Sequence, residues 1–136
     1  MRETMINFDV TIAKSAVEGK GVFASSVIPR RAKIGEVTGI IISTRQARTR
    51  ARGKCRICLI DISDTQALDC TQGNLFRHLN HSCQSNAFLR IFRSHVEVYA
   101  RKIITAGEEI TVDYGETPHG GGMKCRCGQS GCRDVI

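Results

Sequence analysis

Val96, Val98 and Ala100 alternate with Glu97, Tyr99 and Arg101, the two-residue period of a strand with one face buried. The pattern predicts a strand over residues 95–104, and similar short apolar stretches predict others over 7–12, 22–28, 34–42, 57–62, 87–92 and 109–114. Turn residues separate them: Glu18-Gly19-Lys20-Gly21, Pro29, Gly53, Asp64, Gly73 and Ala106-Gly107. Helix is scarce. One helix is predicted over residues 43–52, capped by Ser43 or Thr44 and stopped by Gly53, with a further turn or two over residues 74–79. The first carries Arg45, Arg48, Arg50 and Arg52 without an acid, and only Ala47 and Ala51 can anchor it to a core. Many short strands with little helix specify a mostly β domain.

A chain of 136 residues suits one domain, able to bury roughly two thirds of its unfolded surface. At 41% hydrophobic residues it has enough apolar surface to offset chain entropy, which excludes a disordered protein. No run approaches the ~18 apolar residues of a membrane span, and the opening MRETMINFDV lacks a signal peptide's apolar stretch. These features predict an intracellular protein, in cytoplasm, nucleus or nucleoid, with no membrane partner. Its seven cysteines are then expected to stay reduced and to act as ligands or core residues. Lys and Arg number 20 against 13 Asp and Glu, a formal charge of +7. The basic stretch from Arg45 to Arg56 is either a solvated helix face or a non-specific contact for nucleic acid or another polyanion.

Residues 116–122, with Pro118 and Gly120-Gly121-Gly122, form a linker to a cysteine-rich tail. There Cys125, Cys127 and Cys132 make a C-x-C-x4-C cluster with Gly128 and Gly131 for tight turns. Three thiolates are one short of a closed tetrahedral zinc site. Cys83 is the leading fourth ligand, with Cys55 and Cys58 as competitors. Cys55-Arg56-Ile57-Cys58 looks like half of a second site but has no matching pair, and reads as strand core.

Three ordered stretches carry a family likeness. They are Glu18-Gly19-Lys20-Gly21-Val22-Phe23-Ala24, then Arg77-His78-Leu79-Asn80-His81-Ser82-Cys83-Gln84-Ser85-Asn86, then Gly107-Glu108-Glu109-Ile110-Thr111-Val112-Asp113-Tyr114-Gly115. Followed by KCRCGQSGC, they resemble the SET-domain protein lysine methyltransferases with a cysteine-rich post-SET tail. The resemblance implies a SET domain over residues 8–116, built of small curved sheets with a knot-like core, and a post-SET zinc tail over residues 123–134. It implies S-adenosylmethionine as methyl donor and a lysine of a histone, ribosomal or other basic protein as acceptor. By the same resemblance Glu18, Gly19, Lys20 and Gly21 hold the donor, Asn80 and His81 contact it, and Tyr114 sets its hydroxyl beside the transferring methyl. The cysteine of the N-H-S-C motif completes the tail's single structural zinc, which favours Cys83.

The chain also departs from the family pattern. Val37 stands where a tyrosine is common, Cys58 where another aromatic is frequent, and Val112 where Phe or Tyr tunes the number of methyl groups added. Phe88 is the residue placed to fill that gap. Fewer aromatic faces mean weaker attraction for a cationic lysine, so a catalytically silent SET-like module that binds a protein tail or nucleic acid is the competing reading. A zinc-stabilised DNA-binding domain explains the charge and the tail but not the three motifs. Glu108 and Glu109 are read as turn supports, and His78, His95 and His119 as structural or surface residues.

Overall fold

The structure is a computed structural model that describes residues 6–17, 19–52 and 59–113. Among the described residues, ten strands form three small sheets. The first has the order β1-β2-β10-β7: β1 (Val10–Lys14), β2 (Lys20–Ala24), β10 (Glu109–Val112) and β7 (Asn80–His81). The second is β3-β9-β8: β3 (Lys33–Val37), β9 (His95–Ala100) and β8 (Ala87–Phe92). The third is β4-β6-β5: β4 (Ile40–Ser43), β6 (Gln66–Asp69) and β5 (Leu59–Asp61). All pairings are antiparallel except β10 with β7, which runs parallel. The expected mostly β architecture of several small sheets is what the chain adopts.

One core joins the first two sheets. Val22, Ile34, Val96, Val98, Ile104 and Ile110 are fully buried there, with Phe76 and Val112 nearly so. The alternation over residues 95–104 holds through Ala100, after which Ile104 makes a single bridge to Ile28. The single strand expected over 34–42 divides into β3 and β4, which join different sheets. Gly39 explains the break: a Cβ there would lie 2.4 Å from the Asp69 carbonyl oxygen, so the backbones pass too closely for any side chain.

Helix α1 (Thr44–Ala51) has Ser43 as its N-cap, with a full capping box in which Ser43 Oγ accepts from the Gln46 amide at 3.0 Å. Ala47 and Ala51 are its buried residues, as the composition required. The turn over 74–79 is a 3-10 helix, Leu75–His78, capped by Asn74. Cys70 is fully buried in the core beside Leu68 and Phe76. No helix of the described residues is long and apolar enough to cross a membrane.

Candidate active site

The short strand β7 is made of two polar residues, both buried, and the sheet explains how. Asn80 pairs in register with Thr111 and His81 with Val112, and the Ser82 amide continues to the Val112 carbonyl at 3.0 Å. Asn86 holds β10 as well: its Nδ2 donates to the Glu109 carbonyl at 2.8 Å and its Oδ1 accepts from the Thr111 amide at 2.9 Å. The second and third motifs, separated by twenty residues of chain, are thus stitched together backbone to backbone.

The first motif joins them through Asn80. Its Nδ2 lies 3.0 Å from the Lys20 carbonyl, 2.8 Å from Glu109 Oε2 and 3.1 Å from Ser15 Oγ. Ser15 Oγ in turn sits 2.7 and 2.9 Å from the two Glu109 carboxylate oxygens and accepts from the Val17 amide at 2.9 Å. One hydroxyl proton given and lone pairs filled make Ser15 a tie within this hub, not an activated nucleophile. Gly21 is buried against it: a Cβ would meet Glu109 Oε2 at 2.2 Å and Asn80 Nδ2 at 3.2 Å. Gly19 has φ 45°, in the left-handed region that glycine enters freely.

Sequence position assigns Glu109 to a turn; the structure corrects this. Glu108 is the turn residue, its Oε1 accepting from the Thr105 amide at 2.7 Å, while Glu109 begins β10 and turns its carboxylate into the hub. Ser15 and Glu109 are the site residues that motif reading misses; Glu109 opens the strand expected over 109–114, which is the signal that separates it from Glu108 in the turn.

His81 is buried, with Nε2 3.2 Å from Cys83 Sγ and Nδ1 3.7 Å from Asp113 Oδ1. Cys83 is a partly buried, reduced thiol. His78 ends the 3-10 turn, and burial first, then the charges of Arg77 and Lys20, hold its imidazole below the ordinary 6.5. His95 is an exposed partner of Glu36, its Nδ1 at 2.5 Å from Oε2. Phe88 does not fill the gap at Val112: the pleat puts it opposite Tyr99, stacked on that ring, on the face away from the core that holds Val112. Val37 and Val112 are core residues, 4% and 2% exposed.

Glu18, Tyr114, Cys55, Cys58, Cys125, Cys127, Cys132, His119 and the glycine linker lie outside the described residues. Among the described residues no group of three or more His, Cys, Asp or Glu could hold a metal ion. A partly buried, reduced thiol fits the role of one zinc ligand supplied to a site completed elsewhere. Gly19 projects no side chain, which fits a ligand lying close to the main chain there, while the missing Cβ of Gly21 makes room for Glu109 and Asn80.

Residues 19–115, more than two thirds of the chain, match the family model of the SET domain. The chain is 32% identical over 145 residues to histone-lysine N-methyltransferase set-2 of Caenorhabditis elegans, covering 99% of this chain and 9% of that protein. It is 32% identical over 138 residues to histone-lysine N-methyltransferase 2B of Homo sapiens, covering 93% of this chain and 5% of that protein. Among solved structures it is similar to a chain of ctPRC2 in an autoinhibited conformation bound to S-adenosylmethionine, with TM-score 0.74 and 29% identity over 81% of this chain and 15% of that one. An active polycomb repressive complex 2 in the stimulated state gives TM-score 0.73 at 30% identity, over 79% of this chain and 15% of that one. The chain thus spans less than a tenth of the two curated relatives and about a seventh of the structural ones.

Proposed function

The chain belongs to the SET-domain family, and from that premise we propose that it is a protein-lysine N-methyltransferase acting on a lysine of a histone or another basic protein. The observation that carries the reading is the parallel pairing of Asn80 and His81 with Thr111 and Val112, which draws the Asn80–Cys83 motif to the strand that runs on through Asp113 to Tyr114 in the sequence. In this reading the domain spans residues 8–116 and a post-SET tail spans 123–134.

When bound, S-adenosylmethionine supplies a sulfonium methyl that a neutral lysine amine takes up in line as the thioether departs. The residues of this chain then have three tasks. Main chain at Glu18, Gly19, Lys20 and Gly21, with Asn80 and His81, holds the donor in one orientation. A dry channel lowers the acceptor lysine from its reference pKa of about 10.4, offsetting part of the roughly 4 to 5 kcal/mol that deprotonation at neutral pH costs. The Tyr114 phenol orients the amine toward the methyl, and such alignment is worth up to ~7 kcal/mol. Cys83 joins Cys125, Cys127 and Cys132 as ligands of one structural zinc, a closed site that orders the tail.

Labelled S-adenosylmethionine with lysine-rich proteins tests the activity. Label is expected on lysine, and Tyr114→Phe is expected to reduce its transfer about tenfold or more. Unchanged transfer by Tyr114→Phe removes the role given to that phenol. The silent-module reading is favoured by one specific observation, the core valines at 37 and 112. Binding of the protein tail without any methyl transfer is the result that would select it.

A further inference from the structure

The outward face of the β3-β9-β8 sheet gathers cations and aromatic rings that the methyl-transfer reading does not use. Phe88 and Tyr99 stack there with centroids 5.7 Å apart and planes 18° apart. Arg30, Arg31, Arg90 and Arg101 surround the two rings and line with them a cavity of about 520 Å³. The Arg101 guanidinium lies 5.8 Å from the Phe88 centroid. Toward the hairpin tip, Phe92 is 49% exposed and has the guanidiniums of Arg90 and Arg93 each 5.2 Å from its centroid. The two carboxylates of this face are already engaged: Glu97 with Lys33 at 3.0 Å and Arg90 at 4.0 Å, Glu36 with His95. Arg30, Arg31, Arg93 and Arg101 have no carboxylate partner among the described residues. The face is left with unneutralised positive charge.

Backbone strain points to the same surface. Among the described residues the non-glycine positions with positive φ are Arg31 at 69°, Arg93 at 51° and Ser94 at 66°. Glycine adopts this conformation freely, whereas an L side chain enters it only at a cost. Two of the three are arginines of this face. The hairpin between paired Phe92 and His95 requires positive φ at Arg93 and Ser94, and the chain sets an arginine where glycine or asparagine would satisfy the turn more easily.

We propose that this face binds single-stranded nucleic acid, with phosphates on Arg30, Arg31, Arg93 and Arg101 and bases against the rings of Phe92 and Tyr99. Cations interleaved with aromatic rings fit a strand that offers both phosphate and unstacked bases; an acidic peptide would use the charge and leave the rings idle. The six residues of β8, at about 3.4 Å each, give a track about 20 Å long, room for several nucleotides. Helix α1 is a poorer candidate, since Arg50 is spent on Asp69 at 2.5 Å and Arg48 leans on the Thr44 carbonyl. The proposal stands whether or not the chain transfers methyl groups.

Fluorescence anisotropy with a labelled oligouridylate of about 20 nucleotides, across a salt series, tests it on the full chain. The parent is expected to bind at low salt. Arg31→Gly combined with Arg93→Gly is expected to weaken binding about tenfold, and to lower the salt slope by about 0.7 for each phosphate that an arginine no longer neutralises. The same variant is expected to melt about 4 °C or more higher, because glycine relieves the strain. Weaker binding by a more stable protein cannot come from misfolding. Arg45→Ala with Arg48→Ala on the helix is expected to stay within about twofold of the parent. The proposal is overturned if the parent does not bind, if the glycine variant binds as the parent does, or if the helix variant loses as much. Equal binding of polyglutamate would overturn it in favour of an acidic peptide.

Discussion

Asn80 bears more of the site than a motif residue beside a ligand would need to. Its amide is the point where the loop carrying Ser15, the Lys20 carbonyl and the Glu109 carboxylate converge. Asn80→Ala should therefore destabilise the chain by about 1 kcal/mol or more, since it removes part-buried hydrogen bonds to three acceptors, and denaturant unfolding reads that directly. Asp69 makes a second residue-scale case. Burial alone would raise its carboxyl, but hydrogen bonds from Thr71 and the Arg50 guanidinium outweigh it and hold the group below its ordinary 3.8. A carboxyl lowered on folding adds stability above its unfolded pKa and loses it as pH falls through the folded value. Asp69→Asn should accordingly flatten the loss of stability below about pH 4, measured as melting temperature against pH. A loss as steep as the parent's would assign the acid sensitivity to other carboxylates. Neither role is legible in the sequence: Asn80 reads as a motif member and Asp69 as a polar strand end, because both depend on partners far away in the chain.

At the scale of elements, what is legible in the sequence follows burial on one face. Strand β8 runs over the expected residues, and β9 starts where expected, because hydrophobic and polar positions alternate there. Helix α1 is equally readable from Ser43 and Gln46, and Ser43→Ala should cost about 1 kcal/mol in thermal unfolding. Strands β6 and β7 escape. Ala67, Leu68 and Asp69 are all buried in succession, so β6 shows no alternation, and Asn80-His81 offers no apolar residue at all. The split between β3 and β4 is missed for a different reason: strand-forming Ile34, Val37 and Ile40–Ile42 stand on both sides of Thr38-Gly39, and one glycine does not by itself end a strand. It rests on Gly39 passing the Asp69–Cys70 backbone, and Gly39→Ala should destabilise by about 3 kcal/mol, since backbone atoms on both sides must move. Near-parent stability would show that the β4-β6-β5 sheet can shift away from the core at little cost.

On the scale of the whole molecule, the first sheet sets β2, β10 and β7 side by side so that stretches distant in sequence line one place, a topology the order of motifs implies and no local pattern can encode. The positive charge has a consequence at this scale too. A chain of formal charge +7 repels a lysine-rich tail, so a substrate packaged with nucleic acid suits it better than a free basic peptide. In the proposed reading a zinc ion ties the tail to the domain. Metal analysis of the purified protein should find about one zinc per chain, and Cys83→Ser should lose it; retained zinc would give the fourth position to Cys55 or Cys58. Methyl transfer at this site meets its most direct test in a crystal structure with S-adenosylhomocysteine and a lysine peptide. The nucleoside product should lie along Gly19–Gly21 and against Asn80-His81, with the lysine nitrogen reaching its sulfur beside the Tyr114 hydroxyl. A product bound elsewhere, or a lysine that never approaches that sulfur, would contradict it.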